Sequence, residues 1–265
     1  MRIAGASVLV TGASSGIGAA IAREMAARGA RTTLVARSRE GLEKLAGEIA
    51  AAGGAESRVE PADLSSVEDV DALAKRILAA GGAPDVLVNN AGAGRWLAVD
   101  ETPAGEAQQM MALPYLAAFE LTRAFAPAMM ERGSGRVVCM TSLSGYTYVP
   151  GATGYAVARW AMRAFASQLR EDFRGTGVGV TLMAPAEVDS PYFDNNPGAR
   201  ERIPRVGKLM GGTSTPEQVA DATADAVERE RDEVITPRLA SLMVRLTPRP
   251  LLDLIVRRTG WKRAA

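Results

Sequence analysis

The 265-residue chain contains no histidine. That excludes Ser-His and Cys-His nucleophilic mechanisms and the usual zinc sites, because the base or ligand does not exist. No metal site is expected. A single cysteine, Cys139, rules out an intramolecular disulfide and fits a reducing, cytoplasmic setting. Aromatic residues make up only 5% of a chain that is 47% hydrophobic, so an alanine-rich aliphatic core is expected. Charge is nearly balanced at +1, leaving no global field to recruit nucleic acid. No uninterrupted apolar run approaches the roughly 18 residues of a membrane span. The opening MRIAGASVLVTG runs into a strand-like segment without an apolar leader.

What is present is an alternation. SVLVT (7–11), TTLVA (32–36), SRVEP (57–61), DVLVNN (85–90), RVVCMT (136–141) and VGVTLM (178–183) are β-branched runs, each followed by a helical stretch. ERERDEVITP (228–237) reads as a helix end and an edge strand. Near-continuous apolar strands with helical crossovers predict a doubly wound parallel α/β sheet of about seven strands in one domain. The domain is expected to span 1–240, with a long irregular segment at 185–214 of the kind that forms a lid. Residues 241–265 form a basic amphipathic tail.

TGASSGIG (11–18) joins the first strand to a helix start. In that arrangement the orphan N–H groups of the helix face an anion such as a pyrophosphate. Gly12 permits the turn, Gly16 the close backbone approach, and Gly18 the packing of helix on strand. An acidic residue after the second strand would bind the ribose of NAD. LVARSR (34–39) instead offers Arg37 and Arg39, which favours the 2′-phosphate of NADP, with Ser14 or Ser15 adding a hydroxyl donor. Solvated helix-start charges are the alternative reading of the two arginines.

The order TGASSGIG, Asp63-Leu64, NNAG (89–92), Ser142, YxxxR (155–159) and PAEVDS (185–190) resembles the short-chain dehydrogenase/reductase family, from about residue 5 to residue 237. The resemblance implies a single-domain Rossmann fold and an NADP(H)-dependent oxidoreductase interconverting a ketone and a secondary alcohol. It places Gly12, Ser14, Ser15, Gly16, Ile17, Gly18, Arg37, Asp63, Leu64, Asn90, Ala91, Gly92, Pro185, Val188 and Ser190 along the cofactor, together with Tyr155 and Arg159. Ser142 would orient the carbonyl or hydroxyl, and Tyr155 would exchange the proton. A phenol with an ordinary pKa of about 10 is a poor base near neutrality unless a cation stabilises its phenolate. The resemblance also implies a homodimer or homotetramer.

Two positions depart from the family pattern. Arg159 stands where the family has lysine: its charge is kept, but a planar, permanently protonated fork replaces a compact ammonium able to relay protons. Aligning LPYLAAFELTRAFAP (113–127) puts Pro114 at the family's helix asparagine, and no asparagine occurs anywhere in 91–194. A mid-helix proline frees the carbonyl of Met110 and is expected to kink the helix. Pro185-Ala186-Glu187 stands where Pro-Gly is common, so Glu187 is either a substitute acid or base or an exposed loop charge. A lyase, isomerase or cyclase on the same fold, or a cofactor-binding protein without turnover, are therefore the alternative functions.

Trp96, Tyr146, Tyr148, Val149, Tyr192 and Phe193 fall in segments that, by resemblance, surround the substrate, suggesting an apolar or aromatic-lined pocket, with Arg95 as a further anion contact. The tail PRPLLDLIVRRTGWKRAA sets Arg249, Arg257, Arg258, Lys262 and Arg263 against one Asp253. It reads either as a helix packing on the domain or on another subunit, or as a membrane-surface contact.

Overall fold

A computed structural model of the protein describes residues 1–209 and 211–262. Met210 of the expected lid and Arg263 of the expected tail lie outside the described residues. Seven parallel strands form one sheet: β1 (Ser7–Thr11), β2 (Arg31–Ala36), β3 (Arg58–Pro61), β4 (Val86–Asn89), β5 (Gly135–Met140), β6 (Val178–Pro185) and β7 (Glu233–Thr236). Their order is β3-β2-β1-β4-β5-β6-β7. The expected doubly wound parallel sheet is thus observed, with β7 at its edge.

Side chains alternate between two cores, as the two-residue period of a strand requires. Leu9, Val137 and Cys139 face one side, where α3 (Val67–Gly81), α5 (Ala117–Arg132) and α6 (Thr153–Asp172) pack. Val8, Val10, Val138 and Met140 face the other, covered by α1 (Gly16–Ala27), α2 (Arg39–Ala51) and α9 (Pro216–Glu228). Arg28, just past α1, pairs with Glu24 and with Asp221, Asp225 and Glu228 of α9, clasping those two helices.

Strand order reverses between β1 and β4, and the crevice beyond their carboxyl ends is where open α/β sheets bind ligands. Segment 185–214 contains two single-turn helices, α7 (Ala199–Arg202) and α8 (Val206–Leu209), rather than being wholly irregular. Its two ends are pinned together: Ser214 donates to the Glu187 carbonyl and Asp189 to the Ser214 carbonyl, each at 2.9 Å. The tail forms α10 (Arg238–Leu246), which begins ahead of the boundary read from the sequence, and α11 (Arg249–Thr259), separated at Pro248. Among the described residues, no helix is long and apolar enough to cross a membrane.

Between α4 (Glu106–Met111) and α5, residues Ala112–Leu116 make a single π-helical turn, closed by the Ala117 N–H on the Ala112 carbonyl. Pro114 sits within it, buried. The kink expected from a proline without an N–H is thus realised as a π turn, a one-residue widening of the helix of the kind frequent at functional sites.

Candidate active site

The glycine-rich turn is cross-braced to β4. Thr11 Oγ1 accepts the backbone N–H groups of Asn90 and Ala91, both at 2.9 Å, and donates to the Val88 carbonyl at 3.1 Å. The Asn90 amide donates to the Thr11 carbonyl at 2.9 Å, so this side chain steadies the turn. Gly12 and Gly16 take φ of +68° and +54°, the left-handed region that favours glycine. A Cβ on Gly18 would lie 2.2 Å from the Gly12 carbonyl oxygen. The first turn of α1 can therefore approach the β1 strand end only without a side chain there. Ser15, the N-cap of α1, makes no side-chain cap bond, so the helix N–H groups are left to another acceptor.

A cavity of about 750 Å³ opens at the carboxyl ends of the central strands. It brings together Gly12, Ser14, Ser15, Gly16, Ile17, Gly18, Arg37, Leu64, Asn90, Ala91, Gly92, Ser142, Tyr155, Arg159, Pro185, Val188 and Ser190. Two expected cofactor contacts are not on its wall. The Asp63 carboxylate turns to Ser65, accepting its N–H at 3.0 Å and its hydroxyl at 2.7 Å, and these bonds hold the Asp63 carboxyl below its ordinary range. Arg39 points at Glu43, 3.4 Å away, which leaves Arg37 as the guanidinium at the end of β2.

Ser142 caps a short 3₁₀ turn (Leu143–Gly145), its Oγ accepting the Ser144 N–H at 3.3 Å. The neighbouring Thr141 hydroxyl donates to the Arg159 carbonyl at 2.8 Å. Gly145 permits that contact, because a Cβ there would sit 2.9 Å from the same carbonyl oxygen. The strand end bearing Ser142 is thus clamped to the turn of α6 bearing Tyr155 and Arg159.

Tyr155 is 9% exposed, and its ring lies between Trp96, 5.4 Å away between centroids, and Tyr192 at 6.0 Å. The Tyr192 hydroxyl donates to the Gly94 carbonyl at 2.7 Å, and burial raises that phenol well above its ordinary value. The Arg159 guanidinium carbon stands 4.8 Å from the Tyr155 ring centroid, within cation–π range. Its residue is 7% exposed, its Nε is buried without a hydrogen-bond partner, and among the described residues no carboxylate pairs with it. Its terminal nitrogens fill the space a side chain on Gly92 would need, 2.9 and 3.1 Å from a Cβ placed there.

An unpartnered buried guanidinium donor, an uncapped helix start and a glycine cradle together fit an anionic, hydroxyl-rich dinucleotide. The remainder of the wall is apolar and came only partly from sequence. Trp96, Val149, Tyr192 and Phe193 line it as expected, whereas Tyr146 is packed beneath Arg163 and Tyr148 lies outside, stacked on Trp160. Leu113, not Pro114, reaches the cavity from the π turn. Ile203 and Val206 of the lid segment join Val244, Leu252 and Val256 of the tail helices, which sequence reasoning had not placed there. Glu187 reaches the wall but is paired with Arg200 at 3.5 Å, and Arg95 with Glu106 at 3.2 Å, so neither is a free charge.

A parallel Rossmann sheet with a glycine turn, a serine and a buried tyrosine around one crevice defines the class of dinucleotide-binding α/β proteins. The family model for short chain dehydrogenases matches residues 6–200, and the chain belongs to that family. It is 34% identical over 237 residues to the ketoacyl reductase HetN of Nostoc sp., covering 88% of this chain and 79% of the relative. A metagenomic short-chain oxidoreductase crystallised with NADP is 34% identical, with a TM-score of 0.73 over 89% of this chain and 98% of that one. A Burkholderia phymatum short-chain dehydrogenase/reductase crystallised with NAD is 26% identical, with a TM-score of 0.82 over 100% and 99%.

Proposed function

We propose that the protein is an NADP(H)-dependent reductase or dehydrogenase that interconverts a ketone and a secondary alcohol on a largely apolar substrate. The observation that carries the proposal is the clamp between Thr141 and the Arg159 carbonyl, which fixes Ser142 and Tyr155 on one wall of the cavity that also holds the glycine turn. A nicotinamide cofactor held by the glycine turn, Arg37 and Arg159 would supply or accept hydride there. The chain's residues do the rest. Ser142 Oγ donates to the substrate oxygen and orients it. The Tyr155 hydroxyl gives that oxygen a proton in reduction and takes it back in oxidation. Arg159, held over the Tyr155 ring with a free buried N–H, would donate to ribose hydroxyls and keeps positive charge beside the phenol. Val188 and Ser190 would hold the nicotinamide amide, and the Trp96 and Tyr192 rings exclude water from around Tyr155.

Arg37 at the end of β2, with no carboxylate at that strand end reaching the cavity, supports NADP over NAD. The leucine, isoleucine and valine side chains from the lid segment and the tail support an apolar substrate. Exposed Leu116, Phe119, Met130 and Val157 on α5, α6 and the π turn offer an apolar face for pairing two copies into a dimer or a dimer of dimers. The protein is proposed to act in the cytoplasm.

Absorbance of NADPH and NADH followed across a panel of hydrophobic ketones tests the reading. Turnover with NADPH preferred, and lost by at least about 100-fold in Tyr155→Phe, is expected for a positioned proton donor. Turnover indifferent to that change refutes the role of Tyr155.

A further inference from the structure

The tail helices present two faces, and the cavity uses only one. Val244, Leu252 and Val256 point inward and wall the substrate space. On α10 the opposite side carries Leu239, Leu242 and Leu246, which are 46%, 53% and 71% exposed, and Leu251 at the start of α11 is 48% exposed. Positions 239, 242 and 246 follow the three-and-four spacing that stacks side chains into one stripe. Arg238 and Arg245, exposed and seven residues apart, run alongside that stripe, and Arg257 and Arg258 extend the positive charge along α11, with Lys262 just beyond it. α10 contains no acidic residue, and in α11 Asp253 is occupied by Arg249 at 3.0 Å. Residues 238–265 hold seven cations and one carboxylate, so a chain of net charge +1 has a tail of +6 on a body of −5.

We infer that the outer face of α10 and the start of α11 is a docking site for an anionic membrane surface. Leucines in a narrow stripe, low overall hydrophobicity and flanking arginines are what a helix lying in a lipid interface requires. The leucines enter the acyl boundary, and the arginines extend beside them to phosphate headgroups. Charge separation sets the orientation, because the acidic body is repelled from the surface that attracts the tail. The site does not depend on the reaction catalysed at the cavity, and it binds whether or not turnover occurs.

Co-sedimentation of the full chain with vesicles tests this. Vesicles of phosphatidylglycerol mixed with phosphatidylcholine are expected to pellet the protein at least about tenfold better than phosphatidylcholine alone, an excess that raising salt from about 0.1 M to about 0.5 M removes. Leu242→Ser with Leu246→Ser, at exposed positions that leave the fold intact by its melting curve, is expected to weaken binding to the mixed vesicles by at least about tenfold. Equal pelleting with both vesicle types, or none with the anionic ones, overturns the inference. So does a double variant that binds vesicles normally but changes a self-associated species into a smaller one on size exclusion, which would assign the stripe to a second copy of the chain.

Discussion

Replacing Arg159 by lysine would restore the family's usual cation, and we predict that it weakens the site. The guanidinium carbon lies over the Tyr155 ring, 4.8 Å from its centroid, in a residue only 7% exposed. A cation over an aromatic face is worth about 0.5–2 kcal/mol, rising as water is excluded. A lysine ammonium is a more strongly hydrated point charge, which costs more to bury, and it lacks the second arm of the fork that can reach a neighbouring hydroxyl. Loss of one charge-assisted hydrogen bond adds about 1.5–3 kcal/mol. Partial recovery by the ammonium brings the net expectation to about 2–3 kcal/mol, or about 30- to 160-fold in NADPH affinity or in kcat/KM. Quenching of tryptophan fluorescence on NADPH titration reads the first without any knowledge of the substrate. Gly92→Ala is the partner measurement, since its Cβ would meet the guanidinium at 2.9 Å. It should damage the parent protein more than the Arg159→Lys variant, and the double-mutant cycle gives the difference directly. A lysine variant that binds as tightly or turns over faster refutes the reasoning: the guanidinium would then be a handicap.

Two further outcomes follow from local geometry. Gly18→Ala puts a methyl 2.2 Å from the Gly12 carbonyl oxygen, and a turn displaced by about 1 Å should lose at least about 100-fold in dinucleotide affinity, read by the same titration. Cys139 is fully buried, and burial pushes its thiol up to about 12. It should resist thiol reagents at mild alkaline pH until denaturant is added. Because the unfolded thiol ionises first, near 8.5, its burial should make stability fall by up to about 1.4 kcal/mol per pH unit between those values. Urea melts in which Cys139→Ala shows the same alkaline slope as the parent would contradict this.

The parallel sheet was legible because its strands are buried on both faces, leaving unbroken runs such as VLVN in β4 that no exposed element tolerates. The glycine turn was legible because each glycine meets a separate steric demand. Loop side chains were not. SGYTYVP has no period to say which aromatic turns inward, and tertiary contacts decided it: Arg163 covers Tyr146, while Trp160 and Arg249 hold Tyr148 outside. The turn of the Asp63 carboxylate was not legible for a similar reason, since Ser65 offers it two nearby donors. The proline in 113–127 announced a disturbed helix, but whether a kink or a π turn resulted depended on packing. The inward face of the tail needed the lid segment beside it before its valines and Leu252 acquired a role.

The two halves of the cavity are held by different forces. The nucleotide half is fixed by buried hydrogen bonds, Thr11 to Asn90 and Ala91 and Thr141 to Arg159, whose loss would strand polar groups away from water. The substrate half is walled by side chains that belong to the core, Val206, Leu252 and Val256, and is braced from outside. Arg249 sits against the faces of Tyr148 and Trp160, at 4.9 and 4.8 Å, and Arg202 packs on Trp261 at 4.7 Å while pairing with Glu101. Cation–π contacts and part-exposed ion pairs are each worth only about 1 kcal/mol, so these braces add little to what burial of Val206, Leu252 and Val256 contributes. Arg202 belongs to α7, and its Trp261 contact lies just beyond α11, so lid segment and tail are latched together. On the function proposed above, substrate choice would rest on Ile203, Val206, Val244, Leu252 and Val256 rather than on Ser142, Tyr155 and Arg159.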